Sequence, residues 1–147
     1  MALEKWDARF LEIAKIAATW SKDPNAQVGA VVVDQQGQVA GVGYNGFPKL
    51  VEDSAERYGD VDTKLEMDVH AEENAILGAG ARARGGTIYV SGKPICARCA
   101  GSVIQSGLRR AVAQEPKEVS SSKWDKSGQI ARKMMEEAKI EFVPISK

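Results

Sequence analysis

Gly85-Gly86-Thr87-Ile88-Tyr89-Val90-Ser91, followed by Pro94-Ile95-Cys96-Ala97-Arg98-Cys99, decides how this chain folds. The two glycines interrupt whatever precedes them, and Thr87 to Ser91 is a β-branched and aromatic run that reads as a strand. Pro94 stands ahead of a segment from Cys96 to Gln105 in which Ala100, Val103 and Ile104 recur at helical spacing, and Gly107 is a natural stop. Leu108 to Ala113 turns apolar again and reads as a second strand. Strand, helix and strand in immediate succession make a parallel crossover, which brings successive helix starts to the same edge of a sheet.

On the N-terminal side, Val28 to Val33, the turn Asp34-Gln35-Gln36-Gly37, and Val39 to Tyr44 form a predicted hairpin. Before it, Leu3, Trp6, Phe10, Ile13, Ala14 and Ala17 predict one apolar face of a helix from Leu3 to Trp20, broken by Ser21-Lys22-Asp23-Pro24-Asn25. Phe47 to Asp68 is charged and without periodicity, so a loop is expected there. Ala71, Ala75, Ile76 and Ala79 then support a helix ended by Gly78 or Gly80. On the C-terminal side, Gln114 to Ser127 reads as loop, Gly128 to Ala138 as a helix with Ile130, Met134 and Met135 inward, and Ile140 to Val143 as the last strand. The order α-β-β-α-β-α-β-α-β predicts an α/β fold: a three-layer α/β/α sandwich with a central five-stranded mixed sheet, one antiparallel hairpin and then parallel crossovers.

The 147 residues, 44% of them hydrophobic, suit one domain spanning 1–147 with one core. Lysine plus arginine and aspartate plus glutamate number 20 each, so no basic excess is available for a phosphate polymer, and no nucleic-acid partner is expected. A single nucleotide remains open, because one phosphate needs only one or two cations and a few amides. No run approaches the ~18 apolar residues of a membrane span, and Met1-Ala2-Leu3-Glu4-Lys5 lacks the apolar core of a signal peptide. The expectation is a soluble, cytoplasmic protein with no membrane partner. Trp6, Trp20 and Trp124 are expected to pack or to line interfaces, since no basic stripe accompanies them.

The two cysteines, Cys96 and Cys99, are too close in sequence to close a useful disulfide loop, which leaves metal or redox chemistry. The single histidine stands in His70-Ala71-Glu72, where the preceding helix begins. Two adjacent helix starts would thus present one imidazole and two thiols at one point. Zinc takes four ligands; structural sites fill all four with protein and catalytic sites keep one for water. The chain offers three strong donors, so an open site is the simpler count. The helix start also favours the thiolate that a metal requires. Glu72 diverges from His70 by ~200° around a helix axis, so it is placed to handle protons rather than to share the metal. A thioredoxin-like redox pair would leave His70-Ala71-Glu72 unexplained, and a non-catalytic zinc module would leave Glu72 idle.

In these residues the chain resembles the deoxycytidylate (dCMP) deaminases of the cytidine deaminase superfamily. The likeness extends through Ser21-Lys22-Asp23-Pro24 with Gln27-Val28-Gly29-Ala30-Val31, Gly43-Tyr44-Asn45-Gly46-Phe47-Pro48, His70-Ala71-Glu72 with Asn74-Ala75-Ile76, and Cys96-Ala97-Arg98-Cys99-Ala100 with Ile104-Gln105-Ser106-Gly107. The zinc motif marks the superfamily, and the Tyr-Asn-Gly-Phe-Pro loop narrows it to dCMP rather than to a polynucleotide such as transfer RNA. The resemblance implies a cytidine deaminase-like fold, catalytic Zn2+ on His70, Cys96 and Cys99, and Glu72 as the proton shuttle. It implies Asn45 at the sugar and Lys22 at the phosphate. The implied reaction is hydrolytic conversion of dCMP to dUMP and ammonia, supplying dUMP for thymidylate synthesis. A homo-oligomer, commonly a hexamer, regulated by dCTP with Mg2+ and by dTTP is also implied. Two departures stand out: Ile95 separates Pro94 from Cys96, and Phe47 to Asp68 lacks the cysteines and histidines that hold a second, structural zinc in many relatives.

Overall fold

A computed structural model describes residues 3–119 and 122–145. The opening Met1-Ala2 and the middle of the expected Gln114 to Ser127 loop lie outside the described residues. Five strands, β1 (Gly29–Val33), β2 (Val39–Tyr44), β3 (Thr87–Ser91), β4 (Arg110–Gln114) and β5 (Glu141–Ile145), form one sheet in the order β2-β1-β3-β4-β5. β1 is antiparallel to both β2 and β3, whereas β3, β4 and β5 run parallel. This is the mixed five-stranded sheet that the element order predicts.

Alternation along the strands sorts the core into two layers. Ala30, Val32, Ile88, Val90, Ala111 and Ala113 face a large cluster, and Val31, Val33, Tyr89, Val112 and Val143 face a smaller one. The smaller layer is covered by α1 (Lys5–Ala18) through Leu11 and Ala14. The larger is covered by α4 (Ala71–Ala79), α5 (Ala97–Gln105) and α6 (Lys123–Glu137) through Ala71, Ala75, Cys99, Val103, Ala131 and Met135. β1 is buried along its whole length because helices lie on both of its faces.

Four local expectations are corrected. Ala14 and Ala17 face inward and Phe10 and Ile13 pack against the core as expected, but Asp7, Leu11 and Ala18 join the buried face, while Trp6 is 58% and Leu3 40% exposed. Asp7 rotates the helix inward because Arg110 grips both of its carboxylate oxygens, at 2.7 and 2.8 Å, and the Tyr89 hydroxyl donates to it at 2.8 Å. α6 starts at Lys123, and its inward residues are Gly128, Ala131 and Met135; Ile130 is 57% exposed. Gly128 turns inward because a side chain there would strike Pro116. The stretch from Phe47 to Asp68 is not all loop: it contains α2 (Ala55–Gly59) and α3 (Val61–Met67), capped by Ser54 and Asp60. Such short helices show no apolar period, and capping side chains carry much of their definition. Finally, β4 and β5 each start and end slightly later than their apolar runs.

The insert is secured without sulfur or imidazole. Phe47 stacks on buried Tyr58 with ring centroids 4.4 Å apart. Gly46 and Val69 exchange backbone hydrogen bonds at 3.1 and 2.9 Å. Lys64 reaches out of α3 to Asp23 at 3.1 Å. These contacts lay the insert beside the start of α4, where it becomes one wall of a cleft.

Candidate active site

The site begins with a close helix-to-strand approach. A side chain at Gly41 or Gly43 would place its Cβ 2.2 Å from the carbonyl oxygen of Ala75 or 2.3 Å from that of Ala71. Only the missing Cβ lets α4 lie this near β2, and that contact sets where the α4 start points. His70 is the N-cap of α4 and Cys96 is the N-cap of α5, both with extended backbone. Cys99 follows in the first turn of α5, so both helix starts meet beyond the ends of β2 and β3.

A hydrogen-bond lattice fixes the two starts relative to each other. One oxygen of Glu73 accepts from the His70 backbone N–H at 3.1 Å and from Arg98 at 2.9 Å, joining the first turns of α4 and α5. Arg98 also donates to the Asp68 carbonyl at 3.3 Å. From the third helix, the Ser127 hydroxyl accepts the Ala97 N–H at 2.9 Å, satisfying a free amide at the α5 start. Ile95, the residue that spaces Pro94 from Cys96, is 2% exposed in the core and holds the loop down rather than displacing the cysteines.

His70 Nδ1 lies 3.3 Å from Cys99 Sγ and 3.4 Å from Cys96 Sγ, and the three donor atoms all fall within 4.8 Å of one another. Tetrahedral zinc with its usual bond lengths separates such donors by about 3.5–3.8 Å, so this triangle has the right size and chemistry for one ion with a fourth position open. Hydrogen bonding from Cys99 lowers the Cys96 thiol to about 4, burial opposing and His70 assisting. The same hydrogen bond, with burial, raises Cys99. Burial works against a charged His70, yet the Cys96 thiolate beside it prevails and raises the imidazole. A thiolate sharing protons with a thiol and an imidazole is a donor set from which a dication displaces protons.

Glu72 is 4% exposed, and burial pushes its carboxyl up to about 7, the Cys96 thiolate adding to the shift. It can therefore both hold and release a proton near neutrality. The cleft over these residues is also walled by Asp23, Asn45, Lys64, Asp68, Lys93 and Trp124. A larger groove, lined by Asp34, Arg82, Arg84, Arg109 and Ile140 among others, opens where β4 and β5 start; it contains no histidine or cysteine, so the chemistry belongs to the smaller cleft.

Asn45 is brought to the cleft, 5% exposed, with its amide already engaged: Oδ1 accepts from Val28 N–H at 2.9 Å and Nδ2 donates to the Ala26 carbonyl at 2.9 Å. Its carbonyl keeps a second lone pair. Lys22 is not brought there. Its side chain is 68% exposed and pairs with Asp53 at 2.7 Å, a surface contact formed because the insert passes over that corner. Trp124, expected to pack or to line an interface, reaches the site, edge-on to His70 at 6.4 Å between centroids. Several functional groups escaped sequence reasoning. Glu73 was visible three residues after His70, as the partner in a capping box at the helix start. Asp23 was visible in an Asx turn, accepting from Asn25 N–H at 2.8 Å. Ser127, Lys64 and Lys93 left no local signal. Among the described residues, Asp68 Oδ1 is the buried side-chain oxygen with no hydrogen-bond partner, and it lies in the cleft wall.

Comparison with known proteins places the chain in a family. Residues 4–115 match the family described as the cytidine and deoxycytidylate deaminase zinc-binding region. The chain is 37% identical to a deaminase encoded in the luxG 3' region of Aliivibrio fischeri, covering 95% of this chain and 92% of that one. It is 36% identical to a probable deoxycytidylate deaminase of Caenorhabditis elegans, covering 93% of this chain and 68% of the relative. The dCMP deaminase of cyanophage S-TIM5 shares the fold at 16% identity, with a TM-score of 0.74 over 98% of this chain and all 100% of that one. With motif, geometry and relatives in agreement, the chain belongs to the cytidine and deoxycytidylate deaminase family.

Proposed function

We propose that the protein is a zinc-dependent dCMP deaminase that releases ammonia and dUMP, feeding thymidylate synthesis in the cytoplasm. The observation that carries this reading is the donor triangle of His70, Cys96 and Cys99 beside the buried carboxyl of Glu72. His70, Cys96 and Cys99 would hold a zinc ion, which would supply Lewis acidity for activating water at neutral pH. Glu72, buried beside that triangle, is the residue that would hold a proton there, deliver it to N3 of the cytosine ring and then protonate the departing amine. Its burial, at 4% exposure, keeps bulk water from competing for that proton. Asn45 offers its remaining lone pair to a sugar hydroxyl, and the unpartnered Asp68 Oδ1 offers a second acceptor to a donor on the ligand.

A homo-oligomer, with a hexamer as the expected size, and control by dCTP with Mg2+ and by dTTP belong to the same reading. The test is turnover of purified, zinc-loaded protein on dCMP, CMP, deoxycytidine and a transfer RNA, followed by ammonia release and ultraviolet absorbance. Conversion of dCMP is expected. Turnover of the transfer RNA alone would overturn the proposal.

A further inference from the structure

Two lysines line the cleft, and they differ in kind. Lys64 is committed: its ammonium lies 3.1 Å from Asp23, and its side chain is 11% exposed. Lys93, in the loop between β3 and α5, forms no ion pair among the described residues. Its ammonium rests 4.5 Å from the centre of the Trp124 ring instead, and Lys123 approaches the same ring at 5.4 Å. The charged groups facing Lys93 are Asp23, Lys64 and Lys123, and Asp23 is already neutralised by Lys64. Burial and then Lys64 lower the Lys93 ammonium from its ordinary value; Asp23 partly opposes them and Lys123 adds to the lowering.

A half-buried cation held on an aromatic face between two other cations carries an unmet electrostatic cost. An anion entering that corner would relieve it. The corner is continuous with the donor triangle, because Trp124 stands edge-on to His70. A ligand that puts its amino-bearing ring against Glu72 and extends along this wall therefore meets positive charge at its other end.

We infer that Lys93, assisted by Lys123 across Trp124, is the residue that receives the 5'-phosphate of the substrate and so selects nucleotide over nucleoside. This rests on the deaminase reading above. Lys22, paired with Asp53 outside the cleft, has no part in it. Losing one charge-assisted contact to a phosphate should weaken binding by about 10- to 100-fold.

The experiment compares kcat/KM for dCMP and for deoxycytidine in zinc-loaded wild type, Lys93→Gln, Lys93→Arg and Lys123→Gln. Lys93→Gln should lose about 10- to 100-fold on dCMP, mostly in KM, and much less on deoxycytidine. Lys93→Arg should recover most of that loss, and Lys123→Gln should show a smaller loss of the same kind. Calorimetry with dUMP and deoxyuridine gives a readout independent of turnover: wild type should prefer dUMP, and Lys93→Gln should lose that preference. Equal losses on both substrates, an unchanged preference for dCMP, or a wild type that favours deoxycytidine would each overturn the inference while leaving deamination intact. A wild type inactive on every cytosine substrate would overturn the deaminase reading as well.

Discussion

In the proposed reaction Glu72 and the three donor side chains have separate roles, and substitutions should tell them apart. Glu72→Gln keeps the donor triangle and removes the proton carrier, so zinc content should stay near one per chain while kcat falls by about 100- to 10,000-fold. Metal analysis alongside ammonia release checks both halves; activity close to wild type would contradict the assignment. Cys99→Ala removes a donor that is fully buried, and here zinc and activity should disappear together. The difference between these outcomes comes from geometry: Cys99 Sγ is 3.3 Å from His70 Nδ1, whereas the Glu72 carboxyl belongs to no triangle of donors among the described residues.

Helix placement is the next scale at which the site can fail. α4 lies on β2 through Gly41 and Gly43, so Gly43→Ala forces a Cβ to within 2.3 Å of the Ala71 carbonyl oxygen unless the helix moves. The expected result is a stability loss of about 1–3 kcal/mol or more, read by chemical denaturation, together with weaker zinc binding because His70 and Glu72 ride on that helix. Ser127→Ala tests the α5 start in a gentler way. It strips the partner from the Ala97 N–H and should cost about 1 kcal/mol, with Cys96 and Cys99 still in place. Zinc affinity falling more for Gly43→Ala than for Ser127→Ala would match the two displacements.

Across the whole molecule, α1 is joined to the sheet by the buried contacts of Asp7 with Arg110 and Tyr89, on the face away from the cleft. The Arg110 guanidinium holds the Asp7 carboxyl at about 2, against an ordinary value of 3.8. A carboxyl depressed on folding stabilises the fold at every pH above its unfolded value, and that contribution vanishes as pH falls through the folded value. Asp7→Asn should therefore lower stability by about 2 kcal/mol at pH 7, and the gap to wild type should close between about pH 4 and pH 2. Equilibrium denaturation at a series of pH values measures it; a gap that widens on acidification would reverse the assignment. Zinc on the donor triangle would link the opposite face to global stability. Metal present at about 100 times its dissociation constant should raise Tm by about 5–10 °C relative to chelator-treated protein.

Apolar runs, turn residues and helix stops made the order of elements along the chain, the hairpin, the crossovers and the helix-start positions of His70, Glu72, Cys96 and Cys99 legible, because each signal is carried by residues a few positions apart. The short helices of the insert, too brief for a period, were not legible, and neither was the true inward face of α1, where a buried Asp7 outweighs Trp6. Glu73 with Arg98, Ser127 with Ala97, Lys64 with Asp23 and Lys93 on Trp124 join residues well separated along the chain. Such pairs depend on how helices settle against the sheet, through contacts such as those of Gly41 and Gly43, and no local pattern encodes that distance. For the same reason Lys22 and Lys93 look alike as exposed-type lysines in the sequence. Packing puts the first on a surface carboxylate and the second inside the cleft.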